Sequence, residues 1–351
     1  LIFLVVSCPC ALVISIPLGF FGGIGGASKH GILIKGSNYL EALNSVDTII
    51  FDKTGTLTKG VFKVTEIHTI KGSDNDLIKT AAYVESQSNH PIAKSIMTAY
   101  GKEVALEEVS GLEEVPGKGL KGLVEGQEVL VGNHKLMEAF EINYTPAASI
   151  GTVVYVSKDK RYLGYIIISD EIKEDSASAI KALKALGIKK TIMLTGDRKS
   201  VGEAVGAAIG LDEVYSELLP HEKVAHLEAH LKKQSKGKTI FVGDGINDAP
   251  VLARADVGVA MGGIGSDAAI EAADVVLMTD EPSKLVDALK VAKRTNGIVW
   301  QNIIFAMGVK VIVLILGAGG VATMWEAVFA DVGVALIAIL NAMRIIRKPI
   351  G

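Results

Sequence analysis

The chain has 351 residues, a formal net charge of -3 and a composition that is 49% hydrophobic but only 5% aromatic. Its near-neutral charge gives no support for a nucleic-acid partner, and a mean hydropathy of +0.38 is high for a soluble protein, so membrane segments are expected. The length allows two or three domains with sizeable cores, and the only two cysteines share one apolar run, so a disulfide framework is not expected.

Leu1 to about Phe21 is almost wholly apolar, enough for a membrane helix or most of one. Gly22, Gly23, Gly25 and Gly26 follow, and then Lys29, His30 and Lys35, whose charge places this end on the cytoplasmic side. The run opens on Leu1 with no Met, basic leader or small-residue cleavage pattern, so the chain is expected to be the carboxyl-terminal part of a longer protein, cut inside a membrane helix. From Ala27 to about Thr295 the composition is that of a soluble region. Strand-like runs occur at Thr48–Phe51, Val153–Val156, Leu163–Ile168, Thr191–Leu194, Thr239–Val242 and Val257–Ala260. Helical patterns at Ser176–Leu186, Val201–Ile209 and Lys223–Lys233 lie between several of them. That alternation predicts an α/β fold with a mostly parallel, doubly wound sheet.

The stretch from about Val61 to Tyr162 interrupts the alternation and is longer than any ordinary loop. It has its own helix candidate, Asp76–Tyr83, a Gly117-Lys118-Gly119 turn and short strands, so it reads as an inserted α+β domain. Ile298–Leu316 and Val328–Ile346 are again strongly apolar. Lys293 and Arg294 precede the first, Arg344, Arg347 and Lys348 end the second, and the link between them has no Lys or Arg. That asymmetry predicts a membrane hairpin with both ends inside. The expected division is 1–28 (membrane helix), 29–60 and 163–295 (one discontinuous α/β domain), 61–162 (insert) and 296–347 (membrane hairpin).

Three of the strands end in polar clusters: Asp52, Thr195-Gly196-Asp197 and Gly243-Asp244-Gly245. In a doubly wound sheet these should meet at the carboxyl edge, where such sheets bind ligands. Asp52 opens the run Asp52-Lys53-Thr54-Gly55-Thr56-Leu57-Thr58. A carboxylate is a competent nucleophile toward a phosphoryl group, and the turn after it offers N–H groups and hydroxyls to a phosphate. Thr195 can donate a hydroxyl to phosphoryl oxygens, and Lys223, in Pro220-His221-Glu222-Lys223, can add a cation. Asp244 and Asp248, in Gly243-Asp244-Gly245-Ile246-Asn247-Asp248, can hold Mg²⁺ beside Asp52. Phosphoryl transfer needs this equipment. Any one of these Asp residues alone could merely cap a helix or close a turn.

These four blocks, in this order, resemble the phosphorylation domain of the P-type ATPases, a haloacid dehalogenase-like fold, and the resemblance covers essentially the whole chain. It implies that Asp52 becomes an aspartyl phosphate, that Lys53, Gly196, Asp197, Asn247 and Asp248 belong to the catalytic set, and that Thr195 and Lys223 bind phosphoryl oxygens. It also implies that Asp52, Asp244 and the Thr54 carbonyl hold Mg²⁺. In the insert, Glu85, His90-Pro91, Gly117 with Gly119, and Gly132-Asn133 taken alone could be ordinary loop residues. They are similar to the nucleotide-domain pattern of the heavy-metal-transporting branch, which implies ATP binding there. That pattern is met with Asn89 where many members have Glu.

Cys8-Pro9-Cys10 lies inside the first apolar run, where Pro frees backbone carbonyls and breaks the helix. Thiolates are soft ligands for Zn²⁺, Cu⁺, Cd²⁺ or Pb²⁺, although free cysteines also serve as small hydrophobes. Lys310 and Asp331 are ionisable groups in the apolar hairpin, expensive there and functional by default, or else a structural ion pair. Cys-Pro-Cys with a membrane Lys and Asp-x-Gly resembles the zinc/cadmium/lead-exporting branch, implying a transported-metal site of Cys8, Cys10 and Asp331 with Lys310 as counter-ion. The Asn, Tyr-Asn and Met–Ser sets of copper exporters are not found. Two further alternatives are a soluble phosphatase of the same fold, which usually carries a second Asp two residues after the nucleophile where this chain has Thr54, and a non-catalytic nucleotide- or metal-binding module, against which the intact Asp52, Thr195, Lys223 and Asp244 set argues. The actuator's Thr-Gly-Glu loop does not occur in this sequence, so the actuator and earlier membrane helices are expected partners from the same protein, together with ATP, the metal ions and the lipid membrane.

Overall fold

The computed structural model describes residues 10–88, 90–147, 151–233, 237–244, 248–262, 267–321 and 323–347. In chain order the strands are β1 (Ile32–Ile34), β2 (Val46–Asp52), β3 (Thr58–Thr69), β4 (Val109–Val115), β5 (Gly119–Val124), β6 (Gln127–Gly132), β7 (Thr152–Lys158), β8 (Arg161–Ile172), β9 (Lys190–Leu194), β10 (Glu213–Tyr215), β11 (Lys238–Gly243), β12 (Val257–Met261) and β13 (Val275–Leu277). The chain separates into two compact units. One holds the residues up to Leu57 together with those from Lys173 onward; the other is Thr58–Ile172.

The first unit is built on a seven-stranded sheet of order β1-β13-β12-β11-β2-β9-β10. Every neighbouring pair is parallel except the edge pair β1/β13. Parallel strands covered on both faces need continuous apolar runs rather than alternation. Ile49-Ile50-Phe51 of β2 and Ile240-Phe241-Val242 of β11 are such runs, and all six residues are buried. Helices Ser176–Ala185, Lys199–Ile209 and Pro220–Lys233 lie between successive strands. Because β11, β2 and β9 are adjacent and parallel, their carboxyl ends lie side by side, as the polar clusters required.

The second unit is a six-stranded antiparallel sheet, β3-β8-β7-β6-β5-β4. Helices Asp74–Glu85 and Pro91–Tyr100 share one core with it, formed by Leu77, Ala81, Val84 and Ile96 against Val129, Val131, Val154 and Ile166. The first helix starts on a Ser73/Asp76 capping box. The second has Pro91 in its first turn and ends at Gly101 in the left-handed conformation. The run Leu163–Ile168, expected in the parallel sheet, belongs here instead. It lies within β8, between β3 and β7, antiparallel to both. An apolar run records burial but not its partner strand.

Among the described residues, three segments are long and apolar enough to cross a membrane: Cys10–Lys29, Ser283–Ala318 and Met324–Ile346. The last is interrupted by a π-helical turn at Phe329–Gly333. The second begins well before Ile298: helix Ser283–Ala318 runs unbroken through residue 296, and Leu285, Ala288, Leu289 and Ala292 of its first half are buried. Glycines bring the first two segments together. A Cβ on Gly23 would lie 2.5 Å from Thr295 Oγ1 and 2.6 Å from Leu40 Cδ2, and one on Gly19 would lie 2.8 Å from Val299 Cγ2. Between the second and third segments, buried Asn302 donates to the Ala338 carbonyl at 3.0 Å and accepts from Asn341 at 2.9 Å.

Candidate functional site

Asp52 is the last residue of β2, and the turn 53–57 that follows is irregular, with Thr54 at ψ 132° and Gly55 at φ 71°. A Cβ on Gly55 would sit 1.6 Å from Asp244 Oδ2, so the turn needs glycine both for its left-handed backbone and for the carboxylate lying over it. Asp244 directly follows β11, and Asp248 precedes the short helix Ala249–Leu252. Asp52, Asp244 and Asp248 offer carboxylate oxygens that all lie within 4.8 Å of one another. Lys223, in the first turn of helix Pro220–Lys233, donates to Asp52 and, at 3.0 Å, to Asp248.

At the end of β9, Thr195 is buried and its hydroxyl accepts the Asp197 N–H at 3.1 Å. The Asp197 carboxylate pairs with Lys53 at 2.5 Å. The site thus joins the Asp52, Thr195–Asp197, Lys223 and Asp244–Asp248 blocks; Gly196 lies in the turn between Thr195 and Asp197, and Asn247 lies outside the described residues.

Electrostatics shows which ligand the cluster favours. Burial, followed by the charge of Asp248, pushes Asp52 up to about 7 against the pull of Lys223. Burial and then Asp248 likewise push Asp244 up to about 6, opposed by Lys173. Crowded carboxylates with too little positive charge hold protons unless a cation joins them. An all-oxygen set of this kind suits Mg²⁺.

Two residues beyond the expected site set stand here. The buried hydroxyl of Thr56 has no hydrogen-bond partner, and the ammonium of Lys173 bonds the Gly55 carbonyl at 2.6 Å. The Thr56 signal was present, since it sits in the turn after Asp52. Lys173 had none, because its run Asp170-Glu171-Ile172-Lys173 reads as a charged surface segment.

In the second unit, Glu85, His90, Gly117, Gly119, Gly132 and Asn133 all line one cavity of about 310 Å³, together with Ser88, Lys118 and Val154. Gly119 and Gly132 are paired residues on β5 and β6. Asn133 stitches the two glycine blocks together: its side chain donates to the Gly117 carbonyl at 2.9 Å and its N–H to the Lys118 carbonyl at 2.8 Å. His90 Nδ1 accepts the Ile92 N–H at 3.2 Å, capping helix Pro91–Tyr100. A neutral imidazole accepting at Nδ1 carries its proton on Nε2. Burial raises Glu85 to about 7, against a hydrogen bond from Ser88.

Of the membrane residues, Cys8 lies outside the described residues. Cys10, at the start of its helix, is disulfide-bonded, against expectation; it can ligate a metal only as the reduced thiolate. Lys310 is 6% exposed in helix Ser283–Ala318. Asp331 sits in the π-helical turn, and its Oδ1 is enclosed with no hydrogen-bond partner. Single π-turns inside helices favour functional sites.

Residues 46–256 match the haloacid dehalogenase-like hydrolase family. The chain is 63% identical over 349 residues to a cadmium, zinc and cobalt-transporting ATPase of Bacillus subtilis (strain 168), covering 99% of this chain and 50% of that protein. It is 58% identical over 348 residues to a zinc-transporting ATPase of Synechocystis sp. (strain ATCC 27184 / PCC 6803 / Kazusa), covering 99% and 48%. The chain therefore spans about half the length of these curated relatives. Among solved structures it resembles a zinc-transporting PIB-type ATPase in the E2.Pi state, with TM-score 0.86 and 36% identity over 97% of this chain and 57% of that one. It also resembles the catalytic domain of the CPx-ATPase CopB-B, with TM-score 0.61 and 30% identity over 76% of this chain and 98% of that one. With the turn after Asp52, a lysine and an acidic cluster gathered at one sheet edge, the chain belongs to the haloacid dehalogenase-like hydrolases and, within them, to the heavy-metal-transporting P-type ATPases.

Proposed function

We propose that this chain is the catalytic and carboxyl-terminal membrane part of an ATP-driven exporter of soft divalent metal ions (Zn²⁺, Cd²⁺ or Pb²⁺) that works through an aspartyl phosphate at Asp52. The observation that carries the reading is the position of Asp52 at the carboxyl end of β2, bonded to Lys223 and within 4.8 Å of the Asp244 and Asp248 ligand atoms.

ATP occupies the cavity lined by Glu85, His90 and the paired glycines, where the Nε2–H of His90 acts as a donor. A carboxylate oxygen of Asp52 attacks the γ-phosphorus. A new P–O bond forms, the β–γ bridging P–O bond breaks, and its electron pair leaves with ADP. Lys223 and the Thr195 hydroxyl meet the equatorial oxygens, while the Lys53–Asp197 pair ties the turn after Asp52 to the loop that carries Thr195. Asp52, Asp244, Asp248 and the Thr54 carbonyl would hold Mg²⁺, which supplies positive charge to the transferred phosphoryl group.

In the membrane, Cys8, Cys10 and Asp331 bind the transported ion, and Lys310 replaces it as counter-ion when the site is empty. Lys310→Ala should then abolish or uncouple metal-stimulated turnover, and unchanged stimulation would exclude that role. The setting is the plasma (inner) membrane, with both globular units in the cytoplasm; the actuator needed to hydrolyse the phosphoenzyme comes from elsewhere in the same protein.

The test is acid-stable labelling of the purified chain with γ-labelled ATP and Mg²⁺, beside Asp52→Asn. Hydroxylamine-sensitive label that vanishes in the variant is expected. Label that survives in Asp52→Asn would overturn the assignment.

A further inference from the structure

Lys173 is the first residue after β8, at the point where the chain re-enters the first unit. It is 6% exposed. Lysines are seldom buried this deeply unless something compensates the ammonium. Here three bonds run from residues 173–176 to the turn behind Asp52. Lys173 Nζ donates to the Gly55 carbonyl at 2.6 Å, the Lys173 N–H to the Leu57 carbonyl at 3.0 Å, and Ser176 Oγ to the same Leu57 carbonyl at 2.8 Å. The ammonium also lies 4.0 Å from Asp280 Oδ1, a buried oxygen with no hydrogen bond of its own. Gly55 is the floor under Asp244, with no room for even a methyl group between them. Lys173, Gly55 and Asp244 therefore form a stack, and a shift of the middle member displaces the carboxylate above it.

We propose that Lys173 is a positioning residue for phosphoryl transfer: by holding the Gly55 carbonyl it fixes both the turn behind Asp52 and the seat of Asp244. This role rests on the reading of Asp52 as the phosphoryl acceptor. Removing the ammonium leaves the Gly55 carbonyl without that donor and the enclosed Oδ1 of half-buried Asp280 without this cation. The turn then relaxes, and the nucleophile and the metal-binding carboxylate lose their relative placement.

The test uses the full chain with Lys173→Met, Lys173→Arg and Ser176→Ala. Three quantities are read: Mn²⁺ affinity of the nucleotide-free chain by electron paramagnetic resonance, the initial rate of acid-stable labelling, and ATP affinity. Lys173→Met should weaken Mn²⁺ binding about tenfold and slow labelling about ten- to hundredfold, with ATP affinity unchanged. Lys173→Arg, which keeps the charge and the donor, should restore both to within about threefold of the parent, and Ser176→Ala, which loses only the neighbouring bond, should stay within the same margin. A Lys173→Met chain that binds Mn²⁺ and labels like its parent overturns the proposal, as does a Ser176→Ala chain with equal losses. If Lys173→Met is unfolded by circular dichroism, the Arg variant decides: parental Mn²⁺ binding supports the role, and lost Mn²⁺ binding in a folded Arg variant overturns it. Failure of the underlying reading is distinct, because it appears as absence of label in the parent.

Discussion

The motif Gly117-Lys118-Gly119 presents two glycines that a sequence treats as equivalent, but the structure does not. Gly117 has φ 69° and nothing within 4 Å of a Cβ built on it, so Gly117→Ala carries only the left-handed backbone cost, about 1–2 kcal/mol. Gly119 has φ 143°, and its Cβ would lie 2.3 Å from the Val131 carbonyl oxygen and 2.5 Å from Gly132 Cα. Both obstacles are backbone of the paired strand, so β5 and β6 would have to part by about 1 Å. Strain at such a φ costs about 1–3 kcal/mol and forced overpacking about 1–3 kcal/mol more. At about 4 °C per kcal/mol, Gly119→Ala should lower the melting temperature of the second unit by about 10 °C or more. Because Gly119 and Gly132 form the cavity wall, ATP affinity should also fall by about tenfold or more. Differential scanning calorimetry and titration with a non-hydrolysable ATP analogue read both effects. Equal behaviour of Gly117→Ala and Gly119→Ala in the two assays would refute the argument from backbone contact.

Burial also predicts a pH signature at Glu85. Its folded pKa lies at about 7 against an ordinary 4.5, so the fold binds this proton more tightly than the unfolded chain does. The resulting penalty is absent below about pH 4.5, grows as pH rises to about 7 and is complete above it. Glu85→Gln should therefore be more stable than the parent at pH 8, by up to about 3 kcal/mol, and nearly match it at about pH 4; a gap independent of pH sinks the idea. For Asp52 and Asp244, raised to about 7 and about 6, Mn²⁺ must displace protons. Affinity of the nucleotide-free chain should drop by about tenfold or more per pH unit between pH 7 and 6, and a flat profile by titration calorimetry would count against the acidic cluster as the cation site. Gly55→Ala places a methyl group on Asp244 Oδ2; labelling should fall at least about a hundredfold while ATP binding, which uses the other unit, holds. Parental labelling of that variant would show that the turn tolerates displacement.

The cluster at the sheet edge was legible in the sequence because its signals are local. Asp52, Thr195 and Asp244 each end an apolar run, and the three runs became the adjacent strands β2, β9 and β11. What escaped was non-local. Leu163–Ile168 looked like any buried strand, and nothing in it reveals that β3, nearly a hundred residues earlier in sequence, is its neighbour. Lys173 acts through a bond to Gly55 across 118 positions, and a lysine among acidic residues normally signals a solvated surface. The last two apolar helices were legible from hydropathy, but the start of the first of them was not. Between Ser283 and Thr295 the helix alternates buried apolar with polar positions as a soluble helix does, so a change in composition looked like a change of element.

That continuity has a mechanical consequence. From Leu289, packed in the first unit, to Lys310 in the apolar segment is 21 residues of one helix, about 32 Å of rigid rod. A tilt of about 5° at its base would sweep the lysine sideways by about 3 Å, comparable to the length of a metal–ligand bond. With no loop at residue 296 to absorb it, such a tilt would reach Lys310 as displacement.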